Sequence, residues 1–213
     1  MVSTMRSLKN TLRHVRRGER GSSLVEFAMV ATLLLMLVFG IVEFGLAFRD
    51  RLTIGNAGQT AARVGTAVGN EPEADQVMLD ALEQTLANLP SSGVGIVKYV
   101  DFYESDANGN PVGGCPGGNC VRYFYTYVDG PGPLCDWSPC PGDDGSGGYG
   151  GSWTPSVRDV QVGSLDVMGV SIVFSHEWIT GGILPALPDV SCDSPPGNCW
   201  VDTTTMRMEP QQF

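Results

Sequence analysis

The chain has 213 residues, with 13 Lys and Arg against 23 Asp and Glu, a formal net charge of −10, and six cysteines. That length admits one membrane helix and one modest domain, and so large an acidic excess excludes nucleic acid as a partner. The charge is split along the chain: Arg6, Lys9, Arg13, Arg16, Arg17 and Arg20 face only Glu19 in residues 1–20, whereas from Arg49 onward 7 basic residues stand against 20 acidic ones.

Residues 1–20 read as a disordered or loosely helical basic tail. The apolar stretch that follows holds sixteen uncharged residues from Phe27 to Val42 and contains no proline. With Leu24, Val25, Phe44, Leu46 and Phe48 it reaches about the 20 residues that span a ~30 Å hydrocarbon core. A helix is the one single-segment structure that satisfies its own backbone there. A cleaved secretory signal has a shorter apolar region, about 7–15 residues, so a stable anchor is the better reading. The basic tail places the N-terminus in the cytoplasm and the acidic remainder outside. Boundaries follow: a basic leader over 1–21, a transmembrane helix over 22–48, a helical extension over 49–69 and an extracytoplasmic domain over 70–213.

In the extension, Leu52, Ala57, Ala61, Val64 and Val68 keep a helical period. Each interior glycine costs about 1 kcal/mol against alanine, so Gly55, Gly58, Gly65 and Gly69 imply a kinked helix or the close approach of a neighbouring helix. Asn70-Glu71-Pro72 ends this segment. Residues 72–89 predict the clearest soluble helix, with Ala74, Met78, Leu82, Leu86 and Leu89 in one stripe. Pro72 suits its first turn, and Glu71, Glu73 and Asp75 favour its positive end. Strands are predicted over 94–103, 121–128, 165–178 and 200–208 by alternation. In the first, Ile96, Val100 and Phe102 fall on one face and Val97, Tyr99 and Tyr103 on the other. Val170, Ile172, Phe174, His176 and Trp178 share a face, as do Trp200, Thr204, Met206 and Met208. Residues 129–155 are a Gly/Pro-rich loop. The fold class is α+β: a long N-terminal transmembrane helix, then a short helix packed on a small antiparallel sheet with a Cys/Gly-rich loop.

The cysteines fall as Cys115/Cys120, Cys135/Cys140 and Cys192/Cys199, all in the external part. In an oxidising compartment an even count in such loops reads as disulfides, and the three local pairs are one of 15 connectivities. The competing reading is a four-thiolate zinc site from the first two pairs. Disulfides are favoured by the compartment, and no metal or other cofactor is expected.

Two acids interrupt the apolar helix. A carboxylate near the membrane interior is costly and needs a reason. In Arg20-Gly21-Ser22-Ser23-Leu24-Val25-Glu26, a cut after Gly21 removes the basic tail and leaves an ammonium at Ser22. In a polymer, Glu26 of one subunit could pair with the Ser22 ammonium of the next and set axial register. The alternative is that Glu26 is solvated at headgroup level. Glu43 lies 17 residues further, about 25 Å along a helix. Its plain reading is solvation at the outer interface, and its sharper one is a contact to Arg49 or to a partner.

RGSSLVEFAMV (Arg20 to Val30) and GIVEFG (Gly40 to Gly45), with weaker support from NAGQTAARVGTAV (Asn56 to Val68) and TTTMRMEP (Thr203 to Pro210), resemble the TadE/TadG-type minor pseudopilins of the Tad (Flp) pilus system, a type IV prepilin-like group. The resemblance implies cleavage after Gly21 by a prepilin peptidase and subunit contact through Glu26. It implies as partners the major pilin, other pseudopilins and inner-membrane assembly proteins, besides the lipid bilayer. The function expected is that of a minor pseudopilin in pilus assembly, not an enzyme. The alternative is an uncleaved, single-pass, membrane-anchored binding module.

Other constellations carry little chemistry. Ser175, His176 and Glu177 are consecutive, so neighbours point to opposite faces of a strand and make no triad. Asp143-Asp144-Gly145-Ser146-Gly147 lacks the oxygen spacing of a calcium loop. The tyrosines of 121–128 fit a packed strand face as well as a carbohydrate or protein contact. No phosphate-binding or dinucleotide fingerprint is present.

Overall fold

The computed structural model describes residues 2–87, 89, 93–125, 137–138, 152–176 and 199–211, with backbone alone for 2–20. The predicted positions Cys135, Cys140, Cys192, Asp143, Asp144, Glu177 and Trp178 lie outside the described residues.

Helix α1 runs without a break from Val2 to Val68. Its 67 residues make a rod about 100 Å long at ~1.5 Å per residue. The leader therefore continues the helix. Gly69, at φ 61°, ends it, and the Gly69 N–H donates to the Gly65 carbonyl at 3.0 Å. A left-handed residue after the last turn is the ordinary place for glycine.

Helix α2 spans Ala74–Leu86, starting two residues after Pro72, and buries Ala74, Met78, Leu79, Leu82 and Leu86. Strands β1 (Val97–Glu104), β2 (Cys120–Tyr125), β3 (Trp137–Ser138), β4 (Val167–Phe174) and β5 (Trp200–Arg207) form one sheet in the order β3-β2-β1-β4-β5. Every pairing is antiparallel. β5 alternates half-buried and exposed residues along its whole length, as the sequence pattern predicts.

Both helices cover one face of this sheet. α1 crosses β4 and β5: an added Cβ at Gly55 would stand 3.4 Å from Asp202, and one at Gly58 would stand 3.5 Å from Ile172. At Gly65 such an atom would fall 2.3 Å from the Met168 sulfur and 2.6 Å from that of Met78. Gly55, Gly58 and Gly65 therefore mark a close approach, by side chains of β4 and β5 and, at Gly65, of α2 as well. α2 stands over the other half of the sheet, where the Tyr123 hydroxyl donates to Asp75 at 2.7 Å and Trp137 Nε1 to Glu83 at 2.8 Å. Ile54, Ala57, Ala61 and Ala62 of α1 join Met78, Leu82, Val100, Phe102, Val170 and Ile172 in one core. Full burial of a side chain such as Leu or Ile contributes about 1.5–3 kcal/mol. The extension of α1 is thus a structural wall of the domain.

One strand face departs from simple alternation. The β1–β4 register shifts between Val97 and Tyr99, and Val97 enters the helix-side core with Val100. A bulge places an extra residue on one strand and inverts the side-chain sequence across it. Tyr99 stays on the far face with Val173.

Candidate functional site

The first half of α1 sets the site. From Gly21 to Val42 nearly every side chain is exposed, Phe27 at 72%, and none is buried. A core helix of a soluble protein would hide such residues. The segment is one helix long and apolar enough to cross a membrane, and it suggests a single-pass anchor.

Gly21 and Ser22 lie on this helix and are exposed, as is Glu26. Apart from the backbone of α1 itself, no heavy atom among the described residues comes within 4 Å of a Cβ built on Gly21. Glu43 occupies the opposite kind of environment. It is 1% exposed, on the helix face that also carries the buried Ala47 and Asp50. The two acids of the apolar helix are therefore not equivalent, and the structure does not bring them together.

At the next turn, α1 is joined to the sheet by a buried polar contact. His176, just past β4, places Nδ1 2.7 Å from Asp50 Oδ2. Its ring stacks on Trp200 at the start of β5, with centroids 5.9 Å apart and planes 9° from parallel. His176 is thus a hydrogen-bonded residue of the junction between the apolar rod and the sheet. Asp50 was not evident as a partner from sequence. The available signal was its spacing, seven residues after Glu43 on the same helical face.

A second network lies at the other end of the helix pair. Asp75 is 1% exposed and accepts from both the Tyr123 hydroxyl and Arg158 Nη2. The Arg158 guanidinium lies over the Trp153 ring, 4.6 Å from its centroid. This contact ties α2, β2 and the segment before β4 together. Asp75 therefore acts as a buried anion as well as an acid in the first turn of α2.

On the far face of the sheet, Arg122 Nε and Nη2 donate to Asp101 at 2.6 and 2.8 Å, and the guanidinium covers Tyr99 at 3.8 Å. Burial pushes the Asp101 carboxyl above the usual range, against the opposing hydrogen bond and charge of Arg122. Asp101 also lies beside Cys115 and Cys120 in a grouping that could hold a metal. Those two cysteines are joined to each other as a disulfide, and Cys199 is disulfide-bonded as well. The thiolates that zinc requires are thereby consumed at Cys115 and Cys120, and the carboxylate of Asp101 is already engaged by Arg122.

No curated protein and no solved structure matches the chain. Residues 21–63, the exposed rod together with the part of α1 that docks on the sheet, match the family model described as TadE-like protein, consistent with a TadE-like protein of the Tad pilus system.

Proposed function

We propose that the protein is a minor pseudopilin that takes part in assembly of a Tad/Flp-type pilus, as a component of an adhesion or secretion apparatus. In this reading it is anchored once in the cytoplasmic membrane, with a cytoplasmic N-terminus and an extracytoplasmic domain, and it has no catalytic role. A prepilin peptidase cuts after Gly21, and Glu26 then contacts the major pilin or another pseudopilin. Inner-membrane assembly proteins are the further partners.

The observation that carries this reading is the coincidence of the family match with an exposed apolar rod on which Glu26 is also exposed. An acid on a lipid-facing helix is expensive and functional by default, whereas Glu43 is buried within the folded chain. The continuous helix through Gly21 and Ser22 favours the second reading, an uncleaved anchored binding module, because a peptidase must first unwind that turn.

N-terminal sequencing of the mature protein from membranes, with and without co-expressed prepilin peptidase, separates the two. A peptidase-dependent terminus at Ser22 supports the pseudopilin. An intact Met1 terminus refutes processing. Glu26→Ala should then abolish piliation while leaving the domain folded, and normal piliation in that variant would remove Glu26 from subunit contact.

A further inference from the structure

The burial of Glu43 changes where the lipid-facing surface of α1 ends. By sequence, Glu43 marks the outer boundary of the membrane span. In the structure Glu43 is buried, 1% exposed, and is not presented outward. The opposite side of the helix remains apolar past it. Ile41, Phe44, Phe48 and Leu52 are 64%, 67%, 63% and 54% exposed. They recur every three or four residues, so they form one stripe. The stripe turns polar at Asn56, Gln59 and Arg63, of which Asn56, Gln59 and Arg63 are all exposed. At ~100° per residue, Arg49 and Arg51 fall on the two flanks of Phe48 and Leu52, and both are exposed.

From Phe27 to Leu52 the outward apolar surface is about 38 Å long at ~1.5 Å per residue. That exceeds a ~30 Å hydrocarbon core and approaches the ~40–45 Å of a bilayer with its headgroup regions. Phenylalanine and leucine side chains are apolar enough to enter the hydrocarbon border, and arginine stems lie along apolar surface while their guanidinium groups reach polar phosphates.

We propose that the α1 face formed by Phe44, Phe48 and Leu52, flanked by Arg49 and Arg51, is a phospholipid-docking surface that seats the base of the globular domain in the headgroup layer on its own side of the bilayer. This inference rests on the reading that α1 spans a membrane. The occupant is lipid because the stripe is continuous with the spanning surface and ends in a pair of cations suited to phosphate.

The test uses the full chain in vesicles of phosphatidylcholine and phosphatidylglycerol. Nitroxides are attached to cysteines introduced singly at Leu35, Phe48, Leu52 and Gln59, after the native cysteines are shown to be unreactive. Collision with oxygen, which concentrates in lipid, is compared with collision with a water-soluble nickel chelate. The expected result is oxygen dominance at Leu35, a severalfold oxygen preference at Phe48 and Leu52 relative to Gln59, and nickel dominance at Gln59. Charge reversal, Arg49→Glu with Arg51→Glu, should shift Phe48 and Leu52 toward nickel while leaving Leu35 unchanged. Nickel access at Leu35 would refute the membrane span itself. Oxygen dominance at Leu35, with Phe48 and Leu52 as open to nickel as Gln59, would refute lipid docking alone. Phe48 and Leu52 shielded from both reagents would also overturn it, by showing that protein covers the stripe.

Discussion

Replacing Asp75 by asparagine tests whether the buried network at the start of α2 is an ion pair on which the domain depends. Asparagine fits the same space and still offers an acceptor to the Tyr123 hydroxyl, which Asp75 holds at 2.7 Å. What it removes is the negative charge facing Arg158, whose side chain is 0% exposed. Two of the guanidinium nitrogens, Nε and Nη1, have no hydrogen-bond partner among the described residues, so Asp75 and the Trp153 ring are what offset its charge. Breaking a fully buried pair from one side costs about 3–5 kcal/mol, because the remaining charge stays buried without compensation. Native stabilities are only about 5–15 kcal/mol. For a chain of this size each kcal/mol moves Tm by about 2–4 °C, so Asp75→Asn should lower Tm by about 6–20 °C. The assay is heat unfolding of the detergent-solubilised full chain, followed by near-ultraviolet circular dichroism of its buried aromatics. Adding Arg158→Met to Asp75→Asn replaces the stranded cation with an apolar chain of similar length and should recover at least half of the loss. A Tm within about 2 °C of wild type for Asp75→Asn would refute the ion-pair argument. So would a double variant as unstable as the two single losses combined.

Three further outcomes are expected. His176→Phe keeps a ring to stack on Trp200 but removes the 2.7 Å contact to Asp50. Leaving that carboxylate buried without its partner costs about 1–3 kcal/mol, and amide exchange should accelerate around residues 47–54 while β1 and β2 remain protected; unchanged exchange would show that the junction does not depend on the pair. Gly169→Val would push a Cβ to 2.2 Å from the Tyr103 ring, which also donates its hydroxyl to the Gly109 carbonyl at 3.0 Å. The expected loss is about 1–3 kcal/mol, and Tyr103→Ala in the same chain should remove the added penalty if the clash is its cause. Asp106 Oδ1 accepts from the backbone N–H groups of Asn110 and Asn108, each at 2.8 Å, and those bonds hold its carboxyl below the ordinary 3.8. Its contribution is therefore present above pH 3.8 and lost as the pH falls through the lowered native value. The Tm gap between wild type and Asp106→Asn should narrow with acidification, and a constant gap would contradict the assignment.

Local pattern determined much of this protein. The run from Phe27 to Val42 dictates an apolar helix wherever it sits, because its own hydrogen bonds satisfy its backbone and nothing in it breaks the turn. The stripe Met78, Leu82 and Leu86 and the alternation of β5 are likewise periodicities that need no knowledge of neighbours. The segment that carries the family match, 21–63, is also the segment whose residues pointed to a membrane pilin-like helix.

Tertiary packing decided the rest, because burial and pairing belong to positions in space. Glu43 and Glu26 are the same residue type in similar apolar surroundings, yet only Glu43 is covered in the folded chain. Asp50 meets His176 from 126 residues away, and Asp75 meets Arg158 from 83 away. No spacing rule reaches such distances. A single bulge moved Val97 onto the core face, because side-chain parity along a strand survives only as long as its ladder is regular. The glycines of α1 mattered for what approaches them, the sulfurs of Met168 and Met78 at Gly65, and not for flexibility. Sequence alone thus marked the long apolar helix, α2 and four of the strands, but it read residues 129–155 as loop where Trp137–Ser138 pairs with β2 as an edge strand. The fold settled which charges are buried and which meet one another.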